Sequence, residues 1–408
     1  MKVILVDVDC LRADRLACYG SPAGLAPAID GLAEAGTVFS HAITAADTTG
    51  PSHATIFTSS YPFVHHFNRN AMRFPKGLPM LGRLLQQAGI ATGAAVGVEH
   101  LSTFFRFGEG FDAYFNSHWL DGFFHYATQV RLPGFRLSTL LDKIRRRFPR
   151  LDTHSCSAAA VNRRILPWIR RNAARSFFAW LHYFDLHYPY AGEAGYEARV
   201  RYVDEHVGAL VAEVEQLGIA GETVFVVISD HGEAFGEHGR FQHKNAGCYE
   251  ETIHIPLVLS GGNIPAGRRI ESQVRTIDLA PTILALLGQP SPREFQGVSL
   301  LPWLEGQRQD ELVALSYGYP ADRAAKCIRA GGWKYICRPD GQDELYHLET
   351  DPHEQQNLIG GEPARLKELK LLFFDLESHP EAGVSGDSGP EEEDDALIRH
   401  MLEGLGYL

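Results

Sequence analysis

The segment K-V-I-L-V-D-V-D, Lys2 to Asp9, is an apolar run closed by two aspartates. A short run that is apolar at both alternating positions predicts a strand buried on both faces, as in a parallel sheet. Side chains two apart on a strand point the same way, so Asp7 and Asp9 share a side. In open α/β sheets ligands bind beyond the C-terminal strand ends, so this stretch suggests both a fold and a place to look for chemistry. The run is too short and too acidic for a signal peptide.

The pattern recurs outward from there. S-F-F-A-W-L-H-Y-F (176–184) and T-V-F-V-V-I-S-D-H-G-E (223–233) read as core strands, the second ending in Asp230 and His231. A helix is expected near 27–36, with Pro27 early and Gly36 as its cap. Further helices are expected at 78–89 and 200–218, and a strand at 91–98. This alternation predicts an α/β fold with a large, mostly parallel central sheet flanked by helices. After about residue 290 the texture changes, and K-C-I-R-A-G-G-W-K-Y-I-C-R (326–338) reads as hairpin strands of a small C-terminal antiparallel-sheet subdomain. The expected division is a catalytic domain at 1–290, a small subdomain at 291–384, and an acidic linker with a terminal helix at 385–408. An irregular aromatic insertion at 117–150 ends in D-K-I-R-R-R-F-P-R. It reads as a solvated helix face, a surface for anionic headgroups or a lid.

The 408 residues are 45% hydrophobic and 22% charged, which allows a sizeable core. A formal net charge of −12 argues against general nucleic-acid binding, so an anionic substrate needs a locally positive site. No apolar stretch approaches the roughly 20 residues of a transmembrane helix. The six cysteines lack zinc-type pair spacing. With no secretory signal, reduced thiols and a cytoplasmic location are the expectation.

Thr48 to Ser59, T-T-G-P-S-H-A-T-I-F-T-S, places turn residues before a helix expected to start near Ser52. Unpaired N–H groups at such a start suit an oxyanion, though from pattern alone an ordinary N-cap is the better reading. The Asp7/Asp9 and Asp230/His231 pairs are likewise ligands, caps or ion-pair partners by pattern; their place at strand ends raises the metal reading. Asp9, past the apolar run, is the better of its pair. A bound cation gives a threonine a task, because coordination makes its alkoxide accessible. Thr48 and Thr49 both qualify. Asn70, His187, His243 and Lys244 are further polar candidates.

Taken together, these segments resemble the sulfatase family of the alkaline phosphatase superfamily, in chain order over nearly the full length. The resemblance rests on V-D-V-D-C-L-R-A-D-R-L-A-C-Y-G (6–20), L-A-P-A-I-D-G-L-A-E-A-G-T-V-F (25–39) and T-G-P-S-H-A-T-I-F-T-S (49–59). It continues through D-L-H-Y-P-Y (185–190), S-D-H-G-E (229–233), Y-E-E-T-I-H-I-P-L (249–257) and T-I-D-L-A-P-T-I-L-A-L-L-G (276–288). W-K-Y-I-C (333–337) and E-L-Y-H-L-E-T-D-P-H-E-Q-Q-N-L (344–358) complete it. The likeness implies an alkaline-phosphatase-like sandwich, with Thr49 at the nucleophile position. It implies one divalent metal ion (Mn, Ca, Mg or Zn alike) held by Asp9, Asp230 and His231 and contacting Thr49. It puts His187 on the histidine that contacts the substrate's charged group, and Asn70 on an asparagine of the phosphonate monoester hydrolase branch. Either His243 or Lys244 supplies a cation, and His53 joins Asn70 on the substrate side.

Three positions depart from the family pattern. Thr49 replaces the Cys or Ser that becomes formylglycine, so no formylglycine is expected. His53 replaces the motif arginine, and Cys10 replaces the second aspartate of an Asp-Asp pair. A threonine ester has no C–O exit to an aldehyde and must be cleared by attack at phosphorus or sulfur. The expectation that follows is a metal-dependent hydrolase of a phosphate or phosphonate ester acting through covalent Thr49. The alternatives are a sulfuric ester hydrolase, a transferase moving a phosphoryl-linked headgroup to a glycan or lipid, and a non-catalytic binder of anionic glycans. The expected partner is a small anionic ester or a sulfated or phosphorylated glycan, and a homo-oligomer is compatible with the reading.

Overall fold

The opening run folds as β1 (Lys2–Val8), inside the main sheet and buried along its whole length. The computed structural model describes residues 1–74, 77–116, 156–190, 192–243, 247–320 and 324–378. The 117–150 insertion, the 385–408 tail and Lys244 lie outside these residues.

After β1 the chain forms β2 (Gly36–Phe39), β3 (Ala42–Ile43), β4 (Ala91–Val96), β5 (Ala113–Phe115), β6 (Phe177–Tyr183) and β7 (Thr223–Ile228). Then come β8 (His254–Ile255), β9 (Leu257–Gly261), β10 (Arg268–Ile270) and β11 (Val274–Arg275). The last strands are β12 (Ala314–Tyr317), β13 (Lys326–Ala330), β14 (Trp333–Cys337) and β15 (Glu344–His347). Eight strands make the main sheet in the order β10-β2-β9-β7-β1-β6-β4-β5. Its neighbours are parallel except on either side of β9. β11, β3 and β8 make a small sheet, and β12 to β15 make a separate antiparallel sheet in sequence order.

Helices cover both faces of the main sheet. The longer ones are α1 (Pro27–Glu34), α2 (Thr49–Thr58), α3 (Leu81–Gln87), α4 (Ala158–Asn172), α5 (Gly192–Gln216), α6 (Leu279–Leu286) and α7 (Pro363–Ser378). Val3 and Leu5 of β1 face one core with Ile56 and Phe57 of α2, Leu81 of α3 and Ile283 of α6. Ile4, Val6 and Val8 face the other with Ile29 of α1, Ile165 of α4 and Val207 of α5. That double burial is why β1 reads as an unbroken apolar run. It also sorts the acids: Asp7 and Asp9 fall on the odd-numbered side with α2. Among the described residues no helix is long and apolar enough to cross a membrane.

Some boundaries differ from the sequence reading. The first helix ends at Glu34, and Gly36 opens β2 instead of capping the helix. A Cβ on Gly36 would lie 2.2 Å from the Leu259 carbonyl oxygen, so the glycine serves the close approach of β2 to β9. α5 starts eight residues before the expected 200, and the 78–89 helix is trimmed to α3. α2 begins at Thr49, three residues earlier than expected, because Pro51 fits the first turn of a helix as well as a turn.

Candidate active site

Three parallel strand ends and one helix start meet at a single point. Asp9 follows β1, His182 lies at the end of β6, and Asp230 and His231 follow β7. The register pairs Asp7 with His182 across β1 and β6. α2 then brings Thr49 against them. The Thr49 hydroxyl donates to Asp9 Oδ2 at 3.1 Å and lies 3.3 Å from His231 Nε2. His182 Nε2 is 3.6 Å from Asp9 Oδ2, and His231 Nε2 is 3.5 Å from Asp230 Oδ2. All five side chains are fully buried.

Several hydrogen bonds set the orientation of these groups. His231 Nδ1 lies 2.8 Å from the Gly232 carbonyl and must donate to it, which leaves Nε2 as the acceptor facing Thr49. Asn70 Oδ1 accepts from the Gly50 N–H at 2.7 Å, so its Nδ2 end turns away from the helix. That buried Nδ2 has no hydrogen-bond partner among the described residues. Gly50 is obligatory here, since a Cβ would lie 2.8 Å from both Asn70 Oδ1 and the Phe67 ring. His53, one turn into α2, donates from Nδ1 to the Thr49 carbonyl at 2.6 Å, while its Nε2 meets Asp7 Oδ2. Both of its ring nitrogens are thus engaged by the protein.

The electrostatics follow from this geometry. Burial opposes charge on His53, but Asp7 and Asp230 outweigh it and raise its pKa to about 9. An imidazolium therefore stands where the family pattern has an arginine. Burial works against ionised Asp9 too, yet His182, His231 and His187 hold it well below the usual carboxylate range. Burial and the negative charge of Asp9 push Asp230 up to about 6. Burial takes His187 down to about 4, so at neutral pH it is uncharged. Its Nδ1 donates to the Tyr188 carbonyl at 2.8 Å, and its ring stacks on Phe184 and lies 5.2 Å from the His243 ring. His243 Nδ1 is 3.3 Å from Glu233 Oε1.

The structure therefore brings Thr49, Asp9, Asp230 and His231 together, with Asn70 and His53 bracing the helix start and His187 and His243 side by side. Lys244 is not among the described residues. His182 and Glu233 escaped the sequence reading. His182 sits in an apolar run and reads as a strand residue, although its place at a strand end opposite Asp7 was a usable signal. Glu233 is wholly buried, with burial raising its carboxyl to about 7.

The residues present fit a divalent cation. Single ligand atoms of Asp9, His182 and Asp230 lie within 4.8 Å of one another. Among the described residues, the buried Asp230 Oδ2 and Asp7 Oδ1 accept no hydrogen bond, while each acid's other oxygen is engaged. A buried carboxylate oxygen left open in this way is costly, and a metal ion is one of the few groups that satisfies it.

A family model described as sulfatase matches residues 2–289, and one described as N-sulphoglucosamine sulphohydrolase, C-terminal, matches residues 236–373. Arylsulfatase K of Xenopus laevis is 29% identical over 206 residues, 47% of this chain and 38% of that protein. Choline-sulfatase of Rhizobium meliloti (strain 1021) is 33% identical over 184 residues, 44% of this chain and 35% of that protein. The chain thus matches little more than a third of the length of these curated relatives. Among solved structures, a phosphonate monoester hydrolase from Silicibacter pomeroyi aligns with a TM-score of 0.72 at 19% identity, covering 96% of this chain and 98% of that one. A structure in complex with its substrate, D-glucosamine-2-N,6-O-disulfate, aligns with a TM-score of 0.72 at 19% identity, covering 92% and 97%. At that identity the two structures speak to the fold.

Proposed function

We propose a function from one premise: the chain belongs to the sulfatase family of the alkaline phosphatase superfamily. On that premise it is a metal-dependent ester hydrolase, and its substrate is a sulfuric ester carried by a small molecule or a glycan. One observation carries the catalytic part. Thr49 Oγ1 stands at the start of α2, within 3.3 Å of both Asp9 and His231, where a buried hydroxyl can be activated. Without formylglycine chemistry, this hydroxyl is the nucleophile.

Thr49 Oγ1 attacks sulfur in line, forming an O–S bond as the S–O bond to the leaving alcohol breaks. Asp9 Oδ2 and His231 Nε2 are the acceptors within reach of its proton. Asn70 Nδ2, aimed away from the helix and unpartnered, donates to a nonbridging oxygen as charge builds there. His53 holds the first turn through the Thr49 carbonyl and is a positioning residue. His187, uncharged, is suited to take a proton from the water that clears the threonine ester. His243 and Lys244 are the candidate donors to the leaving alcohol. Asp9, Asp230, His231 and His182 would hold the divalent cation, which supplies positive charge for the threonine alkoxide and the anionic ester.

A second reading, hydrolysis of a phosphate or phosphonate ester, keeps the same residues. Thr49 favours it, because a threonine ester lacks the aldehyde exit open to formylglycine. That argument ranks phosphoryl transfer first from the sequence; the sulfatase names of the curated relatives turn the order round. Parallel turnover of an aryl sulfate, a sulfated glucosamine, a phosphate diester and a phosphonate monoester tests the choice. The expected result is a kcat/KM for a sulfate at least about tenfold above either phosphorus ester, roughly 1.4 kcal/mol. A preference of that size for a phosphorus ester would put the second reading first.

A further inference from the structure

Cys10 follows Asp9 directly, is wholly buried and has a φ of 62°. Left-handed backbone is uncommon for a non-glycine residue and is enriched in Asn and Asp, so cysteine is not there to suit the turn. Its surroundings point to a use for the side chain. The thiol donates to Asp9 Oδ1 at 2.8 Å, and the backbone N–H lies 3.4 Å from Asp230 Oδ1. Cys10 therefore touches both strand-end aspartates. Its Sγ also lies 3.8 Å from His243 Nδ1 and 3.9 Å from His231 Nδ1. Ligand atoms of Cys10, His231 and His243 lie within 4.8 Å of one another. Beside them, Asp230 Oδ2 is buried and accepts no hydrogen bond among the described residues. It is a second sign, independent of the cysteine, that the pocket expects a cation.

The donor inventory discriminates between cations. Calcium takes six to eight oxygen ligands and magnesium a near-ideal octahedron of oxygens. Here imidazoles and a sulfur crowd two aspartates, a set that suits zinc-class ions. His231 Nδ1, the ring nitrogen 3.9 Å from the thiol, is committed to the Gly232 carbonyl, so the nitrogen on offer beside Cys10 is His243 Nδ1, while His182 Nε2 and His231 Nε2 face Asp9 and Asp230.

We propose that Cys10 is a thiolate ligand of the strand-end cation, making the site selective for a thiophilic divalent ion of the zinc class over calcium or magnesium. This rests on the metal-dependent reading above. On binding, the Cys10 S–H bond breaks, the proton passes to solvent, and the sulfur pair forms the bond to the metal.

Cobalt(II) reports on this directly because thiolate ligation gives a sulfur-to-cobalt charge-transfer band in the near ultraviolet. Full-length protein stripped with a chelator and loaded with cobalt should show that band together with visible ligand-field bands. Cys10→Ser should keep the visible bands and lose the charge-transfer band. Zinc should displace cobalt stoichiometrically, and a large excess of calcium should not. Cys10→Asp, a residue at ease with this backbone, should shift the preference toward calcium by at least about tenfold relative to wild type. Cobalt bound without a charge-transfer band, or spectra of Cys10→Ser and wild type that match, would overturn the cysteine assignment while leaving the metal reading standing. Failure of wild type to retain any of these ions would overturn both.

Discussion

Two buried charge clusters in this chain differ in how they balance. In the C-terminal part, Lys334 on β14 is fully buried and lies 3.0 Å from Glu250 and 2.6 Å from Glu354, with Arg329 of β13 3.6 Å from Glu250. Two cations face two carboxylates. Burial works against ionised Glu250, but Arg329 and Lys334 outweigh it and hold its pKa at about 2. At the strand ends, Asp7, Asp9, Asp230 and Glu233 are all buried, and among the described residues only histidine nitrogens lie within ion-pair distance of them. Asp230 and Glu233 respond by moving up toward neutral. The first cluster matches acids with permanent cations in number, although burial raises Glu354 there to about 7. The second carries more acid than its partners neutralise, which is how a site waiting for a cation differs from an ion pair.

The comparison breaks most sharply at Thr49. Thr49→Ala should lower turnover by about 10⁴-fold or more while the melting temperature stays near wild type, since only one small polar group is removed. Near-wild-type turnover would end the nucleophile assignment. On the other side, Lys334→Met should strand Glu250 and Glu354 and cost about 3–5 kcal/mol in denaturant unfolding, with turnover per folded molecule preserved. A loss below about 1 kcal/mol would show that this cluster is not what holds the small sheet.

The opposite sign is expected at the strand ends. Asp230→Asn should stabilise chelator-treated protein by about 1 kcal/mol or more in denaturant unfolding, because it removes a buried acid that His53 and His231 only partly compensate. The same variant should lower turnover. Destabilisation of the metal-free protein would mean that Asp230 is already balanced.

A smaller effect separates both clusters from an ordinary buried histidine. His65, between Thr55 Oγ1 and the Phe67 N–H, is held neutral by burial, with its pKa down at about 3. Its folded pKa lies below the ordinary value of about 6.5. Its contribution is therefore complete above that value and is lost as pH falls toward 3. His65→Gln should flatten the pH dependence of stability between about pH 6 and 4. An unchanged slope across that window would assign the acid sensitivity to other groups.

The main sheet and the heart of the site were legible in the sequence for one reason. β1 and β7 are buried on both faces, so their apolar runs are unbroken, and the polar residues that end them stand out. Thr49 was readable as chemistry, but its place inside the helix was not, because Gly50 and Pro51 serve a turn and a first helical turn equally well. Gly36 misled in the same way: a glycine after a helix suggests a cap, and nothing local reveals that β9 passes within reach of a Cβ. His182 was hidden by its apolar neighbours. Asp7 was visible but ranked below Asp9, which lies past the apolar run, and nothing local reveals its partner His53, forty-six residues away on a helix.

The central claim is that acids gathered by separate strand ends hold one divalent ion beside Thr49. Native mass spectrometry of full-length protein, chelator-stripped and reloaded with zinc, tests it most directly. One ion per chain is expected in wild type and none in the Asp9→Asn/Asp230→Asn double variant, with both proteins folded by circular dichroism. Equal metal content in the two proteins, or none in wild type, would contradict it.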